Sequence, residues 1–160
     1  MWKGRTKLIV GGLCLEEIQK NEETVFRLLY ETYRSNFKVS EEFCIAICKE
    51  KVQSLYEHLK KEQAEVLGIK QKGKLVAFLW MFEHEFMGEK RMHINQIVVD
   101  KNNRRTGLGK RLIHEAECRA KHRNITKIDL IASRGNEAAI HMYETMDYEA
   151  ERIYFAKDLK

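Results

Sequence analysis

The stretch Arg104–Lys110, which reads Arg-Arg-Thr-Gly-Leu-Gly-Lys, places two glycines among three cationic side chains. It follows the apolar run Ile97–Val99 and opens a segment in which Leu108, Leu112 and Ala116 recur every four residues. This pattern predicts a strand, a short loop and then a helix that packs on a sheet by one face. Because the first N–H groups of a helix lack internal partners and carry partial positive charge, the glycines leave room there for an anion.

The two glycines alone do not identify that anion. A Walker A loop has a longer spacing and ends in Gly-Lys-Ser/Thr, and the dinucleotide fingerprint needs a third glycine where Leu112 stands. A Gly-x-Gly pair is equally compatible with a plain turn that opens a helix. The surrounding sequence must therefore decide between these interpretations.

Outward from the turn, helical and extended patterns alternate along the chain. Helices are predicted over Glu22–Tyr33, Ser40–Gln63, Gly107–His122 and Asn136–Met146. Strands are predicted over Thr6–Leu13, Val66–Ile69, Leu75–Phe82, Arg91–Val99, Lys127–Ala132 and Tyr148–Ala156. A strand-helix-strand unit after an antiparallel meander predicts an α/β fold with a central mixed, mostly antiparallel sheet of six or seven strands and helices on both faces.

Composition favours one soluble globular domain over residues 1–160. Hydrophobic residues make up 44% of the chain and charged residues 33%, which excludes the disordered and membrane-spanning classes. The apolar run Leu8–Leu15 ends at Glu16 and Glu17 without a cleavage pattern, so we interpret it as a strand rather than an export signal. We expect a cytoplasmic protein with no membrane partner.

Two motifs resemble the GNAT superfamily of acyl-CoA N-acyltransferases. The family signature is a strand ending in Val, a short loop and Arg/Gln-x-x-Gly-x-Gly/Ala opening a helix, and Val99–Gly109 matches it. The second motif is an Asn shortly after the next strand with a Tyr further along the helix, and it recurs as Asn136 and Tyr143. These two residues lie close to two helical turns apart and so project from the same side of the helix.

The resemblance covers Val66–Phe155, and the chain departs from the family pattern at a few positions. Lys101 and Asn103 stand where the family often has a proline and an aromatic residue, a difference that affects loop stiffness. Asp147–Tyr148 replaces the family's Gly-Phe after the helix. Aspartate tolerates a left-handed helix cap less well than glycine does.

The resemblance implies an acetyltransferase that moves acetyl from acetyl-CoA to a primary amine by direct attack. The residues implied to bind acetyl-CoA are Ile97, Val98 and Val99 for the pantetheine arm and Arg104, Arg105, Thr106, Gly107, Leu108, Gly109 and Lys110 for the pyrophosphate, together with Asn136 and Tyr143. The acceptor, small molecule or protein, would lie against the N-terminal helices, where Tyr30, Tyr33 and Phe37 suggest an aromatic wall. The length of the acyl group stays open, and members of the family often pair as homodimers.

The chemistry of acyl transfer needs an acid for the departing thiolate and a route for the ammonium proton. Tyr143 is the predicted proton donor, although a phenol with a pKa of about 10 donates slightly uphill to a thiolate of about 8.5. His93 aligns with a glutamate of some histone-acetylating relatives and is the candidate base. Water, or Glu83 and Glu85, are the alternatives, and Gln96 is a further polar candidate without acid-base capacity.

The net charge of +5 and the pI near 9.0 also fit a nucleic-acid ligand. No aromatic residues interleave with the cationic cluster from Lys101 to Arg111, so nucleic acid is not the expected partner. A non-catalytic acyl-CoA-binding or nucleic-acid-binding module on the same fold is the alternative function. The histidines show no ligand spacing with cysteine or carboxylate, so no metal site is predicted.

Overall fold

The computed structural model describes residues 8–159, which form one mixed sheet flanked by helices. The strands are β1 (Val10–Gly12), β2 (Glu65–Gln71), β3 (Lys74–Phe86), β4 (Glu89–Val99) and β5 (Lys127–Leu130). The helices are α1 (Leu15–Lys20), α2 (Glu22–Asn36), α3 (Glu41–Lys60), α4 (Leu108–His122) and α5 (Glu137–Glu144), and a 3-10 turn at Lys101–Asn103 joins β4 to α4. No helix in this range is long and apolar enough to cross a bilayer.

The sheet has the strand order β1-β2-β3-β4-β5, in which every neighbouring pair is antiparallel except β4 and β5. One apolar cluster, which includes Phe78 and Trp80 of β3, packs α1, α2 and α3 on one face. A second cluster, which includes Leu79 and Met81, packs α4 and α5 on the other. The predicted mixed, mostly antiparallel sheet with helices on both faces is thus confirmed, with five strands among the described residues instead of six or seven.

Both hairpins of the meander close through two residues in the left-handed region. These are Lys72 and Gly73 between β2 and β3, with φ of 49° and 78°, and Met87 and Gly88 between β3 and β4, with φ of 51° and 78°. Two consecutive positive φ angles are typical of the tight turns that match the twist of paired strands. Both predicted turns are confirmed.

The helix ends follow the capping signals of the sequence. The Ser40 hydroxyl accepts a hydrogen bond from the Phe43 amide at 3.2 Å, as the predicted cap of α3 requires. Sequence analysis missed α1, because the apolar run before it hid its start. There the Glu17 carboxylate accepts from the Cys14 amide at 3.2 Å, and Ile18 is the buried residue. The Thr6–Lys7 part of the first predicted strand lies outside the described residues, and β1 begins at Val10.

The prediction of a last strand over Tyr148–Ala156 is wrong. This segment makes no strand pairing, and Ile153, Tyr154 and Phe155 are each more than 75% exposed. It is attached through Glu151, whose carboxylate lies 2.6 Å from Arg91 and 2.8 Å from Lys127. Strand propensity reflects the fit of side chains to a half-buried face, and these apolar side chains meet no such face.

Candidate active site

The turn before α4 presents unpaired backbone amides to open space. Gly107 has φ of +84°, and a Cβ added there would meet nothing within 4 Å. The first hydrogen bond of α4 runs from the Arg111 amide to the Gly107 carbonyl, so within the described residues the amides of Leu108, Gly109 and Lys110 donate to nothing. Such a helix start attracts an anion and is not blocked by a side chain.

The loop leading to this turn is held in place by its own polar groups. Arg104 Nε donates to the Val99 carbonyl at 3.2 Å, and the Thr106 hydroxyl donates to the Asn103 carbonyl at 2.5 Å. Arg105 and Lys110 are exposed and form no ion pair with another described residue. They remain available to balance the charge of an anionic ligand.

Asp100 connects this loop to α2 on the other side of the sheet. Its carboxylate accepts from the Asn102 amide at 2.9 Å and lies 2.9 Å from the guanidinium of Arg27. The hydrogen bond from Asn102 and the charge of Arg27 together hold the pKa of Asp100 below its ordinary value, against the effect of burial. Asp100 is 8% exposed, so its charge is both buried and compensated.

We expect Asp100→Asn to lower the free energy of unfolding by about 1–2 kcal/mol at pH 7, because the charge of a hydrogen-bonded ion pair is lost. A carboxylate with a lowered folded-state pKa stabilises the fold above its unfolded-state pKa of about 3.9 and loses this effect as the pH falls through its folded-state pKa. The difference between variant and wild type, measured by urea unfolding, should therefore shrink below about pH 4. The exposed Asp158→Asn is the matched control. A difference that stays constant with pH would contradict this assignment.

The strands β4 and β5 part beside the turn. They pair only from Arg91–Lys127 to Ile94–Leu130, and β4 then continues to Val99 without a parallel neighbour among residues 8–159. The backbone of residues 95–99 thus has one free edge next to the start of α4. Gly109 permits close packing here, since a Cβ on it would lie 3.1 Å from the Met142 sulfur.

Tyr143 lies on α5, on the side of the sheet that α4 covers. Its side chain is 8% exposed and belongs to the second apolar cluster, and its ring centroid is 5.9 Å from that of Tyr148. Burial raises the pKa of Tyr143 to about 12. Among the described residues, none forms a hydrogen bond with its hydroxyl.

The two residues of the second sequence motif lie at the two ends of α5. Asn136 is the N-cap, and its side-chain oxygen accepts from the Ala139 amide at 3.3 Å. Asp147 adopts φ of +62°, the left-handed cap in which glycine is preferred, and the Tyr148 amide closes back on the Tyr143 carbonyl at 3.1 Å. The helix ends at Glu144, two residues before the predicted end at Met146, and aspartate takes the left-handed position where the family has glycine.

A β-bulge at Asn95 decides which way His93 faces. Trp80 pairs with Gln96 and Met81 pairs with Ile94, which leaves Asn95 without a partner on β3. One extra residue reverses the alternation of side chains along the strand. Ile94 therefore joins the cluster under α4, and His93 turns to the face that carries α2 and α3.

Three polar side chains meet on that face, one from each of three adjacent strands. Asp129 Oδ1 lies 2.6 Å from His93 Nδ1, and Asp129 also lies within 3.0–3.2 Å of His84 Nε2. We call these three residues the His-Asp cluster. Their ligand-capable atoms all lie within 4.8 Å of one another, so the grouping could hold a metal ion. Sequence analysis found His93 alone, because the spacing along the chain does not reveal which residues three strands align.

The remaining candidates from the sequence lie on opposite faces of the sheet, with Glu83 on one face and Gln96 and the aromatic residues on the other. Glu83 is ion-paired with Lys90 at 2.7 Å and with Arg123, the residue after α4, at 3.2 Å, which directs it to the opposite face from His93. Gln96 donates to the Tyr33 hydroxyl at 3.3 Å, and the ring centroids of Tyr33 and Phe37 lie 5.4 Å apart. Of the expected aromatic wall, Tyr33 thus contacts β4 and Phe37 lies beside Tyr33, whereas the third residue, Tyr30, donates to Glu41 at 3.4 Å.

Comparison with protein families matches residues 23–148 to the Acetyltransferase (GNAT) family. Comparison with curated proteins gives no match. Similar solved structures include an aminoglycoside acetyltransferase from an uncultured soil metagenomic sample, with TM-score 0.72, 19% identity and coverage of 98% of this chain and 99% of that one.

Two further solved structures share the architecture. A GCN5-related N-acetyltransferase from Ralstonia eutropha has TM-score 0.77 and 19% identity over 95% of this chain and 98% of that one. A ribosomal-protein-alanine N-acetyltransferase from Brucella melitensis biovar Abortus has TM-score 0.66 and 21% identity over 96% of this chain and 99% of that one. Similarity at these identities shows a common fold.

Proposed function

This chain belongs to the GNAT acetyltransferase family, and from that premise we propose that it transfers acetyl from acetyl-CoA to a primary amine by direct attack of the amine nitrogen. The observation that carries the proposal is the open turn at Gly107, whose free amides adjoin the unpaired edge of β4. We propose that residues 1–160 form a single domain for this reaction.

The residues at this junction fit the parts of acetyl-CoA. A diphosphate can accept hydrogen bonds from the amides of Leu108–Lys110, while Arg105 and Lys110 supply positive charge. The free edge at Ile97–Val99 can pair with the amide groups of the pantetheine arm, as a strand edge pairs with an extended peptide. The thioester would then lie in the opening between β4 and β5, where it offers an activated carbonyl.

Tyr143 is proposed to stabilise the departing sulfur. With its pKa raised to about 12, the phenol stays protonated throughout the neutral range and is always a hydrogen-bond donor. Full proton transfer to a thiolate of about 8.5 is more uphill than for an ordinary phenol. We therefore assign to Tyr143 a donated hydrogen bond that strengthens as negative charge develops on the sulfur.

His93 is proposed to accept the proton that the amine loses. When Nδ1–H donates to Asp129, the other ring nitrogen, Nε2, keeps its lone pair free to act as a base. The bulge at Asn95 aims the ring at the face where Tyr33 and Gln96 lie. Glu83 is the weaker candidate because Lys90 and Arg123 already neutralise it.

Thiol release from acetyl-CoA over a panel of amines tests the proposal. The panel contains a polyamine, free amino acids, an aminoglycoside and a peptide with N-terminal alanine, the last two suggested by the solved relatives. We expect at least one amine to accelerate thiol release. If acetyl-CoA binds and no amine accelerates release, the non-catalytic module is favoured. Binding to RNA that weakens steeply with salt and ignores coenzyme A would favour a nucleic-acid partner.

A further inference from the structure

We infer that the His-Asp cluster is a binding site for one divalent transition-metal ion of the Zn²⁺ class. The ligand atoms are His84 Nε2, His93 Nδ1 and Asp129 Oδ1, which come from β3, β4 and β5 respectively. Imidazole nitrogen and carboxylate oxygen are the ligands that zinc takes in three-residue sites with an open fourth position.

The sheet supplies the geometry of this site. His93 and Asp129 are direct neighbours in the parallel pairing, and His84 lies diagonally across from His93, two residues along β3 from its partner Phe82. Zinc bonds of about 2.0–2.1 Å place tetrahedral ligand atoms roughly 3.3 Å apart. The observed distances from Asp129 Oδ1 lie below that value, at 2.6 Å to His93, and close to it, at 3.2 Å to His84, and the remaining pair of ligand atoms lies within 4.8 Å.

Arg91 fixes the carboxylate from the side away from His93. Its guanidinium lies 3.5 Å from Asp129 Oδ2 and is 5% exposed as a side chain. Glu89 and Glu151, at 2.7 Å and 2.6 Å, balance its positive charge, so Arg91 does not by itself make the site cationic. Ligand carboxylates in metal sites are commonly held by such outer hydrogen bonds, which orient the free oxygen toward the ion.

The site is accessible from solvent. The three side chains are 18–28% exposed, which leaves a path for the ion and room for a water molecule as fourth ligand. A bound ion would occupy the nitrogen of His93 that now contacts Asp129 and place positive charge beside the proposed base. If the proposed function holds, the ion would therefore inhibit acetyl transfer. Only this consequence rests on the proposed function, and the metal site itself does not.

Metal binding is tested on tag-free protein without any acetyl-transfer assay. Co²⁺ serves as the spectroscopic probe, through the visible absorption of a tetrahedral ion, and Zn²⁺ affinity is measured by competition with a chromogenic chelator. We expect one equivalent to bind to wild type. His84→Gln, His93→Gln and Asp129→Asn should each weaken Zn²⁺ binding at least about tenfold.

His114→Gln is the matched control. His114 lies on α4, where its Nδ1 is 3.8 Å from Glu117 and its Nε2 is 4.0 Å from the Cys118 sulfur, so it is a histidine with potential metal ligands nearby but outside the cluster. We expect this variant to bind Zn²⁺ as wild type does. Circular dichroism confirms folding, and each of the three cluster variants tests the site independently.

Two results would overturn the inference. One is Zn²⁺ binding to wild type no tighter than to the folded cluster variants, and the other is loss of binding in His114→Gln alone. A protein that binds one Zn²⁺ through the cluster yet transfers acetyl to no amine would contradict the proposed function and leave the metal site standing.

Discussion

Replacing Gly107 with glutamate is expected to weaken acetyl-CoA binding by about a hundredfold, and to slow acetyl transfer at low acetyl-CoA concentration accordingly. The residue has φ of +84°, a region that costs a residue with a Cβ about 1–2 kcal/mol. The new carboxylate would also lie beside the free amides of Leu108–Lys110, where it competes with a diphosphate and repels it. A loss of about 3 kcal/mol corresponds to roughly a hundredfold weaker binding, which titration calorimetry can measure.

Gly73→Glu is the matched control for this experiment. Gly73 also has a left-handed backbone, with φ of +78°, and open space around it, but it lies in the hairpin between β2 and β3. The two substitutions therefore impose similar backbone strain and the same charge at different places. Equal affinity of the two variants for acetyl-CoA would show that the turn before α4 does not bind the diphosphate.

Tyr143→Phe is expected to lower kcat by about a hundredfold or more while acetyl-CoA affinity changes little. The substitution removes only the hydroxyl, and loss of one hydrogen-bond donor to developing negative charge typically costs about 10²–10³-fold in kcat. Because burial raises the pKa of Tyr143 to about 12, wild type should show no loss of kcat from ionisation of this residue as the pH rises to about 10. Steady-state thiol release across this pH range, together with calorimetry, gives both quantities.

Tyr148→Phe controls for the loss of a phenol near the same place. Its ring lies 5.9 Å from that of Tyr143, and its hydroxyl donates to Glu117 at 3.1 Å. We expect its kcat to stay within a few-fold of wild type. Equal losses in the two variants would indicate an effect on the packing of α5 rather than loss of a hydrogen bond to the departing sulfur.

Local signals predicted the parts of the fold that depend on neighbouring residues. The turn at Gly107, the hairpin turn at Gly73 and the cap at Ser40 each arise from a few consecutive residues, and the structure contains all three. The same holds for the amphipathic face of α4, where Leu108, Leu112 and Ala116 are buried.

Features that depend on strand register could not be predicted from the sequence. Nothing in the residues around Asn95 marks a bulge, and the alignment of His84, His93 and Asp129 exists only once β3, β4 and β5 are paired. The wrong strand over Tyr148–Ala156 has a related cause. Its apolar residues resemble a strand locally, but pairing requires a partner edge that the segment does not reach.

The bulge at Asn95 also makes the direction of the His93 side chain depend on the number of residues in β4. Deleting Asn95 would not change any other residue of β4. It would, however, move each side chain before that position to the opposite face of the sheet. His93 would then lie on the face that α4 covers, and Ile94 would lie on the face that carries α2 and α3. The number of residues before the bulge therefore matters as much as their identity, because a one-residue deletion here would turn the proposed base, His93, to the other face of the sheet without replacing it.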